Sequence, residues 1–206
     1  MKLFSTNVQN ICLHLLRCLV SFLFRVTPGG SSGGESALLA CGASVVGIGT
    51  DIGGSVRIPA HFSGNTALKP TARRLSLQGF RPSVPGQEAI PAVAGPMAQC
   101  VEDLVLILKE LWTQDAWDRD CDLVPVPFDE KEVLNNGKLK VGYYVDDGFV
   151  PASPACARAV MEAAEALRKD GHAVTEFKPP RSEHFHRMHK LTPDYGGISF
   201  LFRPVC

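Results

Sequence analysis

No two cysteines of this chain stand in a CxxC spacing, and the seven present, Cys12, Cys18, Cys41, Cys100, Cys121, Cys156 and Cys206, are scattered. An odd, dispersed set argues against a disulfide framework and against zinc, and predicts reduced, mostly buried thiols. An excess of one charge is missing as well: 21 basic residues balance 21 acidic ones, so no global field favours nucleic acid. Neither glycine cluster is followed by the lysine that a GxxxxGK[ST] phosphate loop requires. No internal repeat is visible. The most apolar segment, 11–26, falls short of the roughly 18–20 residues of a membrane span and is broken by His14, Arg17 and Arg25. What remains is a globular chain: at 206 residues and 45% apolar content it can bury one sizeable core.

The segment 1–27 differs from the rest. On a helical wheel His14, Arg17, Ser21 and Arg25 share one side, while Leu15, Leu16, Leu19, Phe22 and Leu23 lie on the other. That division suits a helix in a membrane interface with its cations toward headgroups. The plainer alternative is a helix packed on its own domain. A secretory signal fits less well, because Arg17 interrupts the apolar region and no small-x-small site follows.

Downstream, residues 35–41 read as a short helix and 45–49, apolar and bounded by glycine, as a buried strand. A tight loop is expected over 50–55 and a helix over 56–62, with Pro59 tolerated only in its first turn. Proline and glycine dominate 75–96, which predicts an irregular surface loop. Val101, Leu104, Val105, Leu108 and Trp112 recur at helical spacing. Acidic residues outnumber basic ones from 102 to 132, the mark of a solvated connection. Residues 139–145 alternate as a strand, with a turn at 146–148. Ser153 and Pro154 open a helix to about Lys169, and 173–177 forms another strand. Strand–helix–strand order implies a crossover and a largely parallel sheet. Asp118, Asp120 and Asp122 imitate a calcium loop, but Leu123 occupies its glycine position and Asp129 its glutamate position. His184, His186 and His189 read as part of a polar tail rather than a metal site.

The informative stretch is "PGGSSGGESALLACGASVVGIGTDIGGSVRIP", residues 28–59. Glycines serve where backbone turns sharply or approaches a ligand closely. In "TDIGGS" two of them precede Ser55 just after a predicted strand, which would expose its hydroxyl at a sheet edge. Successive N–H groups from Ile52 to Ser55 can then converge as an anion-binding nest. Aimed at a tetrahedral oxyanion, each donor is worth roughly 10²–10³ in rate. This pattern points to acyl transfer through a serine ester. A serine needs a neighbour to take its proton. His61 and His172 are poorly spaced for that role, whereas Ser31 or Ser32 lies within the glycine run itself.

"GGSSGG", then "GTDIGGSVRIP", then "ALKPT" resemble the amidase signature family over residues 28–71. Glu35 and the wording "GTDIGGSVRIP" are more similar to its fatty-acid amide hydrolase branch than to its tRNA-dependent amidotransferase branch, and the later "GPMAQCVEDL" resembles the same branch. The resemblance implies a serine–serine–lysine triad. By motif position Ser55 matches the acylated nucleophile, and Ser31 the bridging serine held in a cis Gly30–Ser31 peptide. Ile52, Gly53, Gly54 and Ser55 match the oxyanion hole; Ser32, Thr50, Asp51 and Arg57 match supporting positions. It further implies a fatty-acid amide substrate, no metal or organic cofactor, and association with a membrane or lipid-droplet surface rather than secretion.

The triad lysine is the missing part. Ahead of Ser31 the chain has only Lys2, in a segment unlike the family, while Lys69 in "ALKP" lies downstream of the nucleophile. The expectation is therefore a truncated or alternatively spliced product, or an incomplete gene model, with hydrolysis impaired. The alternative is a non-catalytic module that binds a membrane, a second copy or a full-length homologue. The expected fold is an incomplete amidase-signature α/β fold: a mixed β-sheet core flanked by helices, with an amphipathic N-terminal helix. The expected layout is a divergent 1–27, a partial amidase domain over 28–190 and a divergent tail over 191–206.

Overall fold

The computed structural model describes residues 27–81, 90–133, 137–148 and 151–179. The interfacial-helix reading of 11–26, Lys2, three of the cysteines and the histidine-rich tail lie outside the described residues. The chain divides into two units, residues 1–133 and 134–206. In chain order the first contains α1 (Gly33–Ala40), β1 (Val46–Asp51), α2 (Arg57–Ser63), β2 (Thr66–Ala67), β3 (Val93–Ala98), α3 (Val101–Leu111), α4 (Gln114–Arg119) and α5 (Glu130–Val133). The second contains β4 (Lys140–Tyr143), α6 (Pro154–Lys169) and β5 (Ala173–Glu176).

In the first unit β3 is the middle of a three-stranded sheet, antiparallel to β1 on one side and to β2 on the other. Its register sets Ile48 opposite Pro96 and Asp51 opposite Val93. Every residue of β3 is buried. This overturns the irregular loop expected to run as far as residue 96, and Pro96 shows why the sequence misleads. A proline in a central strand normally costs a ladder bond. Here the Pro96 carbonyl accepts from the Leu68 N–H at 3.0 Å, just past the end of β2. In an antiparallel strand the N–H and C=O of one residue point the same way. The missing donor thus faces the point where β2 has already ended, and the β1 ladder loses nothing. Gly95 beside it has no room for a side chain, since a Cβ would run into the Leu68 carbonyl.

Leu39 of α1, Val56, Ala60 of α2 and Met97 of β3 form the buried core cluster that joins the two short helices to the sheet. Helix α3 presents Leu104 and Leu108, one turn apart, as its buried positions. The expected strand at 45–49 exists as β1, but Val46 and Ile48 are exposed; only Gly49 and Asp51 are buried. The acidic stretch is not a plain solvated connection either. It holds α4 and α5, and Asp120 is buried, accepting hydrogen bonds from the Ser76 hydroxyl and the Asp122 N–H. Those two bonds, the Ser76 one foremost, hold its carboxyl below the usual range. Arg74 lies over the Trp112 ring at 3.9 Å, covering the end of α3.

The second unit is the expected strand–helix–strand crossover. β4 and β5 pair in parallel, Val141 opposite Val174. Ser153 caps α6 by accepting from the Cys156 N–H at 3.3 Å, Pro154 opens the helix, and Gly171 follows its end at φ +86°. Among the described residues parallel pairing is thus confined to this unit, and the larger sheet is antiparallel. The thiols also differ from expectation: Cys41 and Cys121 are exposed, Cys100 and Cys156 half-buried.

Candidate active site

The two glycine–serine loops meet. The first leads into α1; the second leaves β1 and leads into α2. At the entry, Gly29 adopts φ +83° and faces the Pro59 backbone, where a Cβ would stand 3.0 Å from Pro59 Cα. The Gly30–Ser31 peptide is cis, as the resemblance implied. The Ser32 N–H then donates to the Ser55 carbonyl at 3.0 Å, which joins the loops directly. The Ser32 hydroxyl accepts from the Thr50 N–H at 3.3 Å, on the outer edge of β1. Gly49 makes that approach possible: a Cβ there would sit 2.5 Å from Ser32 Oγ and 2.8 Å from Val56 Cγ2. Ser55 is half-buried, whereas Ser31 is exposed.

Asp51 holds the second loop together from inside. Its carboxylate is fully buried. It accepts from the N–H groups of Gly54 (2.7 Å), Val56 (3.1 Å) and Arg57 (3.3 Å). The Arg57 guanidinium adds Nε at 3.0 Å and an Nη at 2.9 Å, a two-pronged contact from a half-exposed side chain. Burial alone would raise the Asp51 pKa. The Arg57 contact and the three backbone donors outweigh it, and the carboxyl sits at about 2. The same contact raises the Arg57 pKa. At neutral pH the pair is fully ionised.

This arrangement narrows the donor set. The Gly54 N–H, counted in the sequence reading among the four oxyanion donors, is turned inward to Asp51. The N–H groups of Ile52, Gly53 and Ser55 make no hydrogen bond among the described residues, so three remain for an anion. Gly54 itself, at φ +124°, packs against the Ile58 side chain, and its carbonyl accepts from the Ile58 N–H to start α2.

Other candidates fall elsewhere. Lys69 donates to the Pro70 carbonyl at 3.4 Å. His61 is exposed beside Phe62. His172 belongs to the second unit, where its Nδ1 accepts from the Leu139 N–H. The Glu35 carboxylate lies against Gly47 of β1. Sequence reasoning missed Ser36 and Asn65, which tie α1 to α2. Ser36 Oγ donates to the Pro59 carbonyl at 2.8 Å, and Asn65 Nδ2 donates to Ser36 O and Oγ at 2.7 and 2.6 Å. The one available signal was spacing: Ser36 follows Ser32 by one helical turn.

The family model described as Amidase matches residues 23–203. The chain belongs to the amidase family. It is 47% identical over 157 residues to fatty acid amide hydrolase 1 of Caenorhabditis elegans, covering 75% of this chain and 27% of that protein. It is 44% identical over 158 residues to fatty-acid amide hydrolase 1 of Sus scrofa, covering 77% and 27%. Among solved structures a fatty acid amide hydrolase superposes with a TM-score of 0.70 at 37% identity, covering 80% of this chain and 30% of that one. This amidase chain thus spans under a third of the length of these relatives, and its mixed α/β units correspond to part of their fold.

Proposed function

We propose that this chain carries the nucleophile and oxyanion portion of a serine amidase site acting on carboxamides with long acyl chains. Ser55 Oγ attacks the amide carbonyl carbon while its proton passes to Ser31. The N–H groups of Ile52, Gly53 and Ser55 hold the developing oxyanion. Collapse breaks the C–N bond, the amine leaves with the relayed proton, and water releases the acid from the Ser55 ester. Asp51, braced by Arg57, shapes the loop, and Ser32 with Thr50 fixes the distance between the loops. The observation that carries the reading is the 3.0 Å bond from the Ser32 N–H to the Ser55 carbonyl, which sets the two serine loops side by side. The acyl-chain class follows from the similarity to fatty acid amide hydrolases. No metal or organic cofactor enters the reaction.

The relay needs a base for Ser31, and within these 206 residues only Lys2 precedes it. Losing the base of a nucleophilic triad costs on the order of 10⁴–10⁶ in turnover. Hydrolysis by this chain acting alone is accordingly expected to be severely slowed, while Ser55 keeps some reactivity toward an activated phosphonyl probe. A fluorophosphonate labelling experiment on the wild-type chain and Ser55→Ala, with fatty-acid amide turnover measured in parallel, tests both halves. Labelling that survives Ser55→Ala removes Ser55 as the nucleophile; turnover matching that of a longer homologue removes the impairment.

A second reading, a non-catalytic module on a membrane surface, a second copy or a longer homologue, is favoured by exposed apolar residues of the first unit. Val45 is 71% and Leu106 63% exposed. Among the described residues no helix is long and apolar enough to cross a membrane. Stable expression only beside a partner, with Ser55 unlabelled, is its expected signature.

A further inference from the structure

Helix α1 starts at the first serine loop and α2 at the second, so the distance between the serines is set by how these helices are held together. Between the loops stand the bond from the Ser32 N–H to the Ser55 carbonyl and, at the end of β1, the bond from the Thr50 N–H to the Ser32 hydroxyl. One turn further along each helix stands a second, buried connection. Ser36, fully buried and itself bonded to Ser32 through its N–H at 3.1 Å, donates its hydroxyl to the Pro59 carbonyl. Pro59 lies one turn beyond Ser55. Asn65 crosses from the end of α2 and closes the link with Nδ2 on both Ser36 O and Ser36 Oγ. The Ser36 carbonyl can only accept, so the Asn65 amide nitrogen, not its oxygen, must face it. The Asn65 backbone is pinned in turn: Gly64 ends α2 at φ +75°, and the Asn65 N–H donates to the Ala60 carbonyl at 2.9 Å.

We propose that Ser36 and Asn65 are positioning residues that fix the spacing of the Ser31–Ser32 and Ser55 loops. They touch neither serine loop's hydroxyls and act one helical turn away. The core contacts of Leu39, Val56 and Ala60 also join these helices, but apolar contacts are non-directional; they permit a slip that hydrogen bonds forbid. A displacement of about 1 Å at a reacting centre costs about 10²-fold in rate. The spacing role rests on this geometry alone, and its catalytic consequence rests on the function proposed above.

The test is amide hydrogen exchange on the full chain and on Ser36→Ala and Asn65→Ala. The Ser32 amide reports the loop junction; the Trp112 amide, bonded to Leu108 O in the same unit, reports stability there. The expected result is at least tenfold faster exchange at Ser32 in Asn65→Ala, a smaller rise in Ser36→Ala, and under threefold change at Trp112. Equal acceleration at Ser32 and Trp112, or an unchanged Ser32 amide, overturns the proposal. If Asn65→Ala does not fold, Ser36→Ala decides, because there Pro59 and Asn65 keep their other bonds. Fluorophosphonate labelling of Ser55 should slow at least tenfold in Asn65→Ala. An unlabelled wild type with the exchange pattern intact counts against Ser55 as nucleophile and supports the spacing role.

Discussion

Asp51→Asn is the substitution with the most legible consequence. The carboxylate is fully buried, sits at about 2, and accepts five donor contacts. A folded-state pKa below the unfolded 3.8 means that ionised Asp51 stabilises the fold above pH 4. That contribution is lost as pH falls through the folded value, between about pH 4 and pH 2. The difference between 3.8 and about 2 corresponds to about 2 kcal/mol. Asparagine keeps one acceptor oxygen but turns an NH₂ group toward donors, leaving the buried Val56 N–H among the unpaired candidates. Arg57 is half exposed and recovers its solvation, so its loss of a partner adds little. The expected cost at pH 7 is about 2–4 kcal/mol. Urea unfolding followed by tryptophan fluorescence suits the measurement, since both tryptophans, Trp112 and Trp117, belong to the same unit as Asp51. Every other carboxylate is common to both proteins. The difference between the two stability curves therefore isolates position 51: large at pH 7, shrinking by about 2 kcal/mol toward pH 2. Parallel curves between pH 4 and pH 2, or a cost at pH 7 under about 0.5 kcal/mol, refute the reasoning.

Three further outcomes follow from the same geometry. Arg57→Ala should move the Asp51 pKa up toward 3.8, visible in a carboxyl NMR titration, with a cost of about 1 kcal/mol because the cation is half exposed. Gly49→Ala places a methyl group on Ser32 Oγ and Val56, which should cost about 1–3 kcal/mol and deprive the Thr50 amide of its acceptor; unchanged exchange at Thr50 would contradict this. Ser153→Ala removes the cap of α6 and should cost about 1 kcal/mol, read as faster exchange at the Cys156 amide.

What the sequence disclosed and what it hid divide along the range of the interactions. Helix α6 was readable because Ser153, Pro154 and Gly171 state its ends locally, and α3 because Leu104 and Leu108 repeat at one turn. The cis peptide and the Asp51 loop came with a motif in which all the partners lie within a few residues. Asp120 was misread because its neighbours in sequence are acidic and polar, while the hydroxyl that buries it belongs to Ser76, 44 residues away. Ser36 and Asn65 were invisible for the same reason, their contact spanning 29 residues.

Strand β3 and Gly54 mark a different boundary, where the direction of a single bond decides the outcome. Proline and glycine across 75–96 predict a loop because proline removes a donor, yet which side of Pro96 loses the donor depends on register, and register depends on pairing with β1. Likewise four consecutive N–H groups from Ile52 to Ser55 suggest four donors to one anion. Yet an aspartate three residues before Gly54 competes for that N–H, as short polar side chains do at turns. The Gly54 N–H is taken up by Asp51 while those of Ile52, Gly53 and Ser55 make no hydrogen bond among the described residues: a carboxylate tied to the loop's third residue fixes the backbone from within. On this argument Asp51 shapes the cradle as well as stabilising it. Asp51→Asn should therefore slow fluorophosphonate labelling of Ser55 at pH 7 under conditions where the chain is still fully folded. Labelling at the wild-type rate by a folded Asp51→Asn chain would separate the cradle from its carboxylate.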